Sequence, residues 1–255
     1  MKFRIKFTLL IISLLFSSSL FAYEMREQKA DESSDFTTRV GFDIKRKLYK
    51  DFSLTWAEEV RFKTFSSKFD RLYSSLSFNY SVNKYFKTAL GYTYMLIGSS
   101  NTLNHRHRLH LDVEGSYSVK QWKFSLRERP EFLVKMGSFD PLKTSNPSWE
   151  LRSRITVEYS VRNKPLKPRL AFELFNTLNA PTFAKGNYIS RIRSEVGLKW
   201  SVADLHTLNF YYRFDVDNAR NISVDYIADV VDIVNLEYKR TYKHILGVAY
   251  TFDWR

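Results

Sequence analysis

Residues 149–161 read WELRSRITVEYSV. Leu151, Ile155, Val157, Tyr159 and Val161 hold odd positions, and Arg152, Arg154, Thr156, Glu158 and Ser160 lie between them. Successive side chains of an extended strand point to opposite faces, so this stretch is a strand with one apolar and one charged face. Outward from it, the same alternation recurs from about Phe36 to Trp254 in segments of roughly ten to thirteen residues, each closed by a turn.

Before residue 149 the segments are 36–48, 52–65, 71–82, 86–97, 108–119 and 122–136. After it come 169–178, 189–200, 207–216, a weaker 230–238 and a final 244–254. These are about twelve segments (ten to twelve allowing for the weak one), and an even number suits a closed antiparallel barrel. Pro130 falls inside 122–136 and predicts a bulge or an early strand end, because proline has no N–H for the ladder. Connectors alternate in length: 49–51, 83–85, 120–121, 162–167 and 201–206 are short, whereas 98–105, 137–148, 179–187 and 217–229 are longer. With 36–48 as the first of twelve strands, both chain ends fall on the long-connection side. That conflicts with a barrel whose ends lie in the periplasm.

The opening MKFRIKFTLLIISLLFSSSLFA has Lys2, Arg4 and Lys6, then an apolar core, then small residues up to Ala22, the pattern of a secretory signal. The domain reading is a signal peptide over 1–22, a flexible lead-in over 23–35 and a barrel over 36–255. No later stretch has the ~18 consecutive apolar residues of a membrane helix. Cysteine is absent, which excludes disulfides, thiol catalysis and a lipidated N-terminal Cys. The formal charge is +13, yet Lys and Arg are spread over all segments. The reading is therefore anionic lipid headgroups or a basic lumen, not nucleic acid.

A soluble sandwich shares the two-faced strand. Three features favour a membrane: segment length near the roughly 9–11 residues that cross a bilayer, tryptophans near segment ends (Trp56, Trp122, Trp149, Trp200), and the ending Gly247-x-x-Tyr250-x-Phe252-x-Trp254. That ending resembles the C-terminal signature that outer-membrane insertion machinery reads. The fold class is thus all-β, an antiparallel transmembrane barrel in the bacterial outer membrane, with outer-membrane lipids and the insertion machinery as partners.

The polar faces supply the candidate lumen: Arg61, Arg127, Arg129, Glu131, Glu150, Arg152, Arg154, Glu158, Arg169, Glu173, Arg191, Arg193, Glu195 and Arg213. Interspersed signs suit cross-strand Arg–carboxylate pairs filling a narrow barrel, or a charged lumen that orients solutes. No catalytic residue, metal site or cofactor is expected. The function expected is non-enzymatic, structural or narrow-pore. The alternative is an outer-membrane lipid-modifying hydrolase using rim residues, since His105 and His107 share parity with Leu109 and Leu111 and lie near Ser99 and Ser100. A triad requires nucleophile, base and orienter in mutual reach, and no compact motif supplies one. Asp217, Asp225, Asp229 and Asp232 lack calcium-loop spacing.

Several local patterns coincide: Arg106-x-Arg108-Leu109 with Tyr117, Glu150-Leu151-Arg152-x-Arg154 with Tyr159, and Glu173-Leu174-Phe175-Asn176. Asn187 through Arg191-Ile192-Arg193 with Gly197 and a closing Tyr250-x-Phe252 complete the set. Together they resemble an uncharacterised family of bacterial outer-membrane barrels, a domain of unknown function in the porin-like superfamily. The resemblance implies fold and location, and no activity.

Overall fold

A computed structural model describes residues 24–63, 68–99, 102–137, 139–227 and 230–254; the expected signal peptide lies outside them. Twelve strands follow in chain order: β1 (Glu24–Lys29), β2 (Ser33–Tyr49), β3 (Phe52–Lys63), β4 (Lys68–Ser81), β5 (Phe86–Ser99) and β6 (Thr102–Val119). Then come β7 (Trp122–Lys135), β8 (Ser148–Tyr159), β9 (Leu166–Thr177), β10 (Tyr188–Ala203), β11 (His206–Ile227) and β12 (Val230–Trp254). One 3-10 turn, Thr182–Ala184, interrupts the β9–β10 connection.

Strands β2 to β12 form a closed wall in which each strand pairs antiparallel with the next, and β12 returns to β2 in parallel. Antiparallel alternation around a ring requires an even number of strands, so a wall of eleven must contain one parallel seam. The wall is antiparallel as expected except at this seam. The cause is β12. The expected segments 230–238 and 244–254 are one continuous strand, and the expected loop 217–229 is largely the top of the β11–β12 hairpin. Fusing the two segments moves one chain end to the short-turn side and leaves the other at the long connections. Trp254 lies at the short-turn end, opposite Arg46, while Glu24 lies at the other.

The lead-in expected to be flexible over 23–35 instead carries β1 and the start of β2. β1 pairs with β12 from Glu24↔Ile233 to Lys29↔Tyr238, and β2 continues along the same edge from Ser33↔Thr241. β7 runs through Pro130 without a register change. The β6–β7 ladder omits Leu111 and Asp112 opposite Arg129 and Pro130, then resumes in step. The proline thus leaves a gap in the ladder where a bulge or strand end was expected.

Strand register fixes the tilt. A row of facing residues that leaves β2 at Tyr49 climbs through Phe52, Tyr80, Thr88, Val113, Glu128, Ser153, Leu174, Ile192, Val216 and Tyr242, and re-enters β2 at Ser34. That offset is the shear which, with strand number, sets the inclination and width of a barrel.

The outer face is the apolar one. Val40, Leu90, Leu111, Leu126, Ile155, Leu170, Val196 and Leu246 stand exposed around it. Aromatic pairs edge it at both ends. Phe52 stacks on Tyr80 at 4.6 Å and Trp122 meets Tyr159 at 4.8 Å near the short turns. Phe132 and Trp149 meet edge-on at 5.0 Å near the long connections. At that end β11 and β12 project past β10, and the outward side of this hairpin is covered. Phe183 of the 3-10 turn packs with Val224 and Val234, flanked by Met25, Leu142, Ile222 and Val231. This small apolar core ties β1 and two connections to the hairpin, and explains why its apolar residues alternate as if in a wall.

Candidate functional site

Inward side chains build the site, and strand parity places them. Across six neighbouring strands, one inward residue per strand alternates in sign: Arg108 on β6, Glu131 on β7, Arg152 on β8, Glu173 on β9, Arg193 on β10 and Asp215 on β11. Each contacts the next: Arg108 Nη1 to Glu131 at 3.3 Å, Arg152 Nη1 to Glu131 at 2.7 Å and Arg152 Nη2 to Glu173 at 2.9 Å. Arg193 then reaches Glu173 at 3.4 Å and grips Asp215 through two nitrogens at 2.8 and 2.7 Å. The fork geometry of a guanidinium suits it to bridging two carboxylates in this way.

A second cluster lies nearer the short turns. Glu195 accepts from Arg154 at 3.0 Å, lies 2.7 Å from Arg169, and is also held by Arg213. Arg127 adds to Glu173 at 2.8 Å, and Arg129 pairs with Asp112. Toward the long connections Arg191 and Lys243 share Asp217 and Ser190 donates to Glu150 at 2.9 Å, whereas Lys199 reaches Glu158 at 2.6 Å near the short turns. Three inward aromatics serve as platforms for cations. Phe175 meets Arg152, Arg191 and Arg193; Tyr73 meets Arg61 at 4.0 Å; Tyr211 meets Arg213 at 3.9 Å. Tyr211 fits because its cross-strand neighbour is Gly247, where a Cβ would strike the tyrosine ring.

Two cavities of about 350 and 380 Å³ occupy the interior, one toward the short turns and one toward the long connections. They share a wall that includes Arg39, Arg61, Tyr73, Arg108, Glu131 and Arg191.

Of the fourteen sequence candidates, Arg61, Arg127, Arg129, Glu131, Glu150, Arg152, Arg154, Arg191, Arg193 and Arg213 line the short-turn cavity. Arg169, Glu173 and Glu195 lie in the ion pairs behind it, and Glu158 pairs with Lys199 at the β8–β10 edge of the network. Sequence reasoning missed Arg39, Arg71, Arg108, Asp112 and Asp215 as members. Alternation places each of them inward, so the signal was there. It missed the inward aromatics because an aromatic on a polar face reads as noise in the pattern.

The rim histidines sit on the outer face, and all are engaged. Tyr92 meets His107 Nδ1 at 2.7 Å, and Tyr94 meets His105 Nδ1. The same diagonal offset across the strands joins Tyr212 to His244 at 2.7 Å and Tyr250 to His206. On the same outer face Ser74 donates to Glu58, which also accepts from Trp56 Nε1 at 2.8 Å. Among the described residues no hydrogen bond joins a serine to His105 or His107; Ser100 and the Ser99 side chain lie outside them. Asp217 is consumed by Arg191 and Lys243, and Asp225 accepts from Asn235. Asp229 and the Asp232 side chain also lie outside the described residues.

A closed wall, apolar outside and filled inside with paired charge around cavities, defines a β-barrel. The profile of a protein family of unknown function, DUF2490, matches residues 40–225, and the chain belongs to that family. A solved structure of the NanC porin in a rhombohedral crystal form is similar at 13% identity with a TM-score of 0.42, over 70% of this chain and 86% of that one. None of the curated proteins matches the chain.

Proposed function

We propose that this protein is a non-enzymatic barrel of the bacterial outer membrane that offers small polar solutes a narrow, charged passage. The observation that carries this reading is the pair of cavities joined by a common wall inside a closed, outwardly apolar ring. An apolar band edged by aromatics suits the bilayer and its headgroup layers, so outer-membrane lipids are the surroundings this surface fits. The short turns and Trp254 then face the periplasm, and the C-terminal strand with Tyr250, Phe252 and Trp254 is the segment offered to insertion machinery. The fourteen charged candidates act as lumen residues: the ion pairs hold the wall's inner layer rigid, and the guanidiniums facing the cavities meet the solute.

Purified full-length protein in planar bilayers should show discrete conductance steps, small in size because the cavities are narrow. Silence at all voltages and salt concentrations would leave a purely structural barrel.

A further inference from the structure

We infer that the β2–β4 side of the interior binds an oxyanion, a carboxylate or phosphate group, and that the passage therefore prefers small anionic solutes. The preference rests on the passage proposed above; the binding site does not. Sign alternation breaks on this side of the barrel. From β6 to β11 inward arginines and carboxylates alternate. On β2, β3 and β4 the residues directly opposite one another are Arg39, Arg61 and Arg71, three cations in a row. Like charges facing across a ladder repel.

Arg61 is held by Glu59 at 2.5 Å. Arg71 is held by Asp70 at 2.7 Å, the extra residue of a β-bulge that brings both residues inward. Arg39 has neither. It is 6% exposed, its Nε has no hydrogen-bond partner, and no carboxylate lies within ion-pair distance of it among the described residues. Its charged surroundings include Arg61, Arg193 and Arg213 as well as Glu59. A guanidinium so buried and unpaired is costly, and an anion is the partner that removes the cost. Arg39 also forms part of the wall common to both cavities, so a solute moving between them passes it.

Cations outnumber carboxylates along the linings of both cavities. The side chains of Glu173, Glu195 and Asp215 are 1% exposed, whereas those of Arg127, Arg154, Arg169 and Arg213 are between 13% and 17% exposed. Glu173 and Glu195 stand outside the cavity linings, whereas Glu59, Glu131 and Glu150 line them among a larger number of arginines. A planar fork aimed at free space is the group that recognises a carboxylate or phosphate through two hydrogen bonds.

The test is calorimetric titration of inorganic phosphate into the detergent-solubilised full-length protein, with folding of each variant checked by heat-modifiable migration. Wild type should bind saturably. Arg39→Gln should weaken binding about tenfold or more, as expected for loss of a charge-assisted hydrogen bond. Arg39→Lys should keep most of it, and Lys164→Gln in an exposed short turn should change nothing. Should Arg39→Gln not fold, Arg71→Gln at the other end of the row makes the same comparison. Absence of saturable binding by folded wild type, or equal binding by folded Arg39→Gln, overturns the site. In bilayers under a salt gradient the reversal potential should favour the anion in wild type and less so in Arg39→Gln. Silent bilayers with Arg39-dependent phosphate binding would sink the passage and leave the site; conducting bilayers without binding would do the reverse.

Discussion

Glu173 shows how much one residue holds in this interior. Its carboxylate takes contacts from Arg127 at 2.8 Å, Arg152 at 2.9 Å and Arg193 at 3.4 Å, and its side chain is almost wholly buried. Removing one charge from a buried network leaves its former partners uncompensated, which costs about 3–5 kcal/mol. Glu173→Gln should therefore lower the urea midpoint of unfolding from lipid vesicles by that equivalent. Adding Arg152→Met should recover part of the loss, since fewer guanidiniums then face a neutral amide. A loss unchanged by the second replacement would mean that the two residues are not coupled. Glu173 and Arg152 were both legible from alternation alone. Asp70 was not: it occupies an even position in a strand whose odd positions face inward, and only the bulge opposite Arg61 and Phe62 turns it to the interior.

At the scale of elements, the seam between β12 and β2 is the feature with the sharpest consequence. A chain that closes in parallel here brings Gly41 opposite Ala249, and a Cβ at Gly41 would stand 3.1 Å from that of Ala249. Disulfides require Cβ atoms roughly 3.5–4.5 Å apart, within a small relaxation of this geometry. The protein has no cysteine of its own. The double replacement Gly41→Cys and Ala249→Cys should thus oxidise to an internal disulfide, detectable as a reducible shift on an unfolded gel. Failure to cross-link in the folded protein, with both thiols reactive after unfolding, would rule out this seam. Strand existence was legible for every wall strand, because two unlike faces are a local property. The union of 230–238 with 244–254 was not legible. The intervening residues 239–243 (KRTYK) are polar or charged, yet they pair in step with Asp215 to Ala219 on β11.

For the whole molecule, closure is the source of resistance to unfolding. Apart from the rim, every wall strand has neighbours on both sides, so no edge is left from which the ladder can fray. The unheated protein in mild detergent should migrate faster on a gel than the boiled protein, with an abrupt change at the temperature where the ring opens. Equal migration before and after boiling would argue against a closed wall. The rim core around Phe183, Val224 and Val234 stands outside the ring and should loosen at lower temperature, because it lacks the ring's continuous hydrogen bonding.

The sequence by itself determined the strands, their two faces, and the identity of most interior charges. Each of these follows from the period of an extended chain, which neighbouring residues settle among themselves. Only the tertiary structure decided the count of wall strands, the parallel seam, and which inward charges face one another. Register is a property of pairs distant in sequence, selected by summed pairing around the whole ring. That is why Arg152 and Glu173 could be named as interior residues from the chain alone. The row of Arg39, Arg61 and Arg71 emerged only when β2, β3 and β4 were aligned.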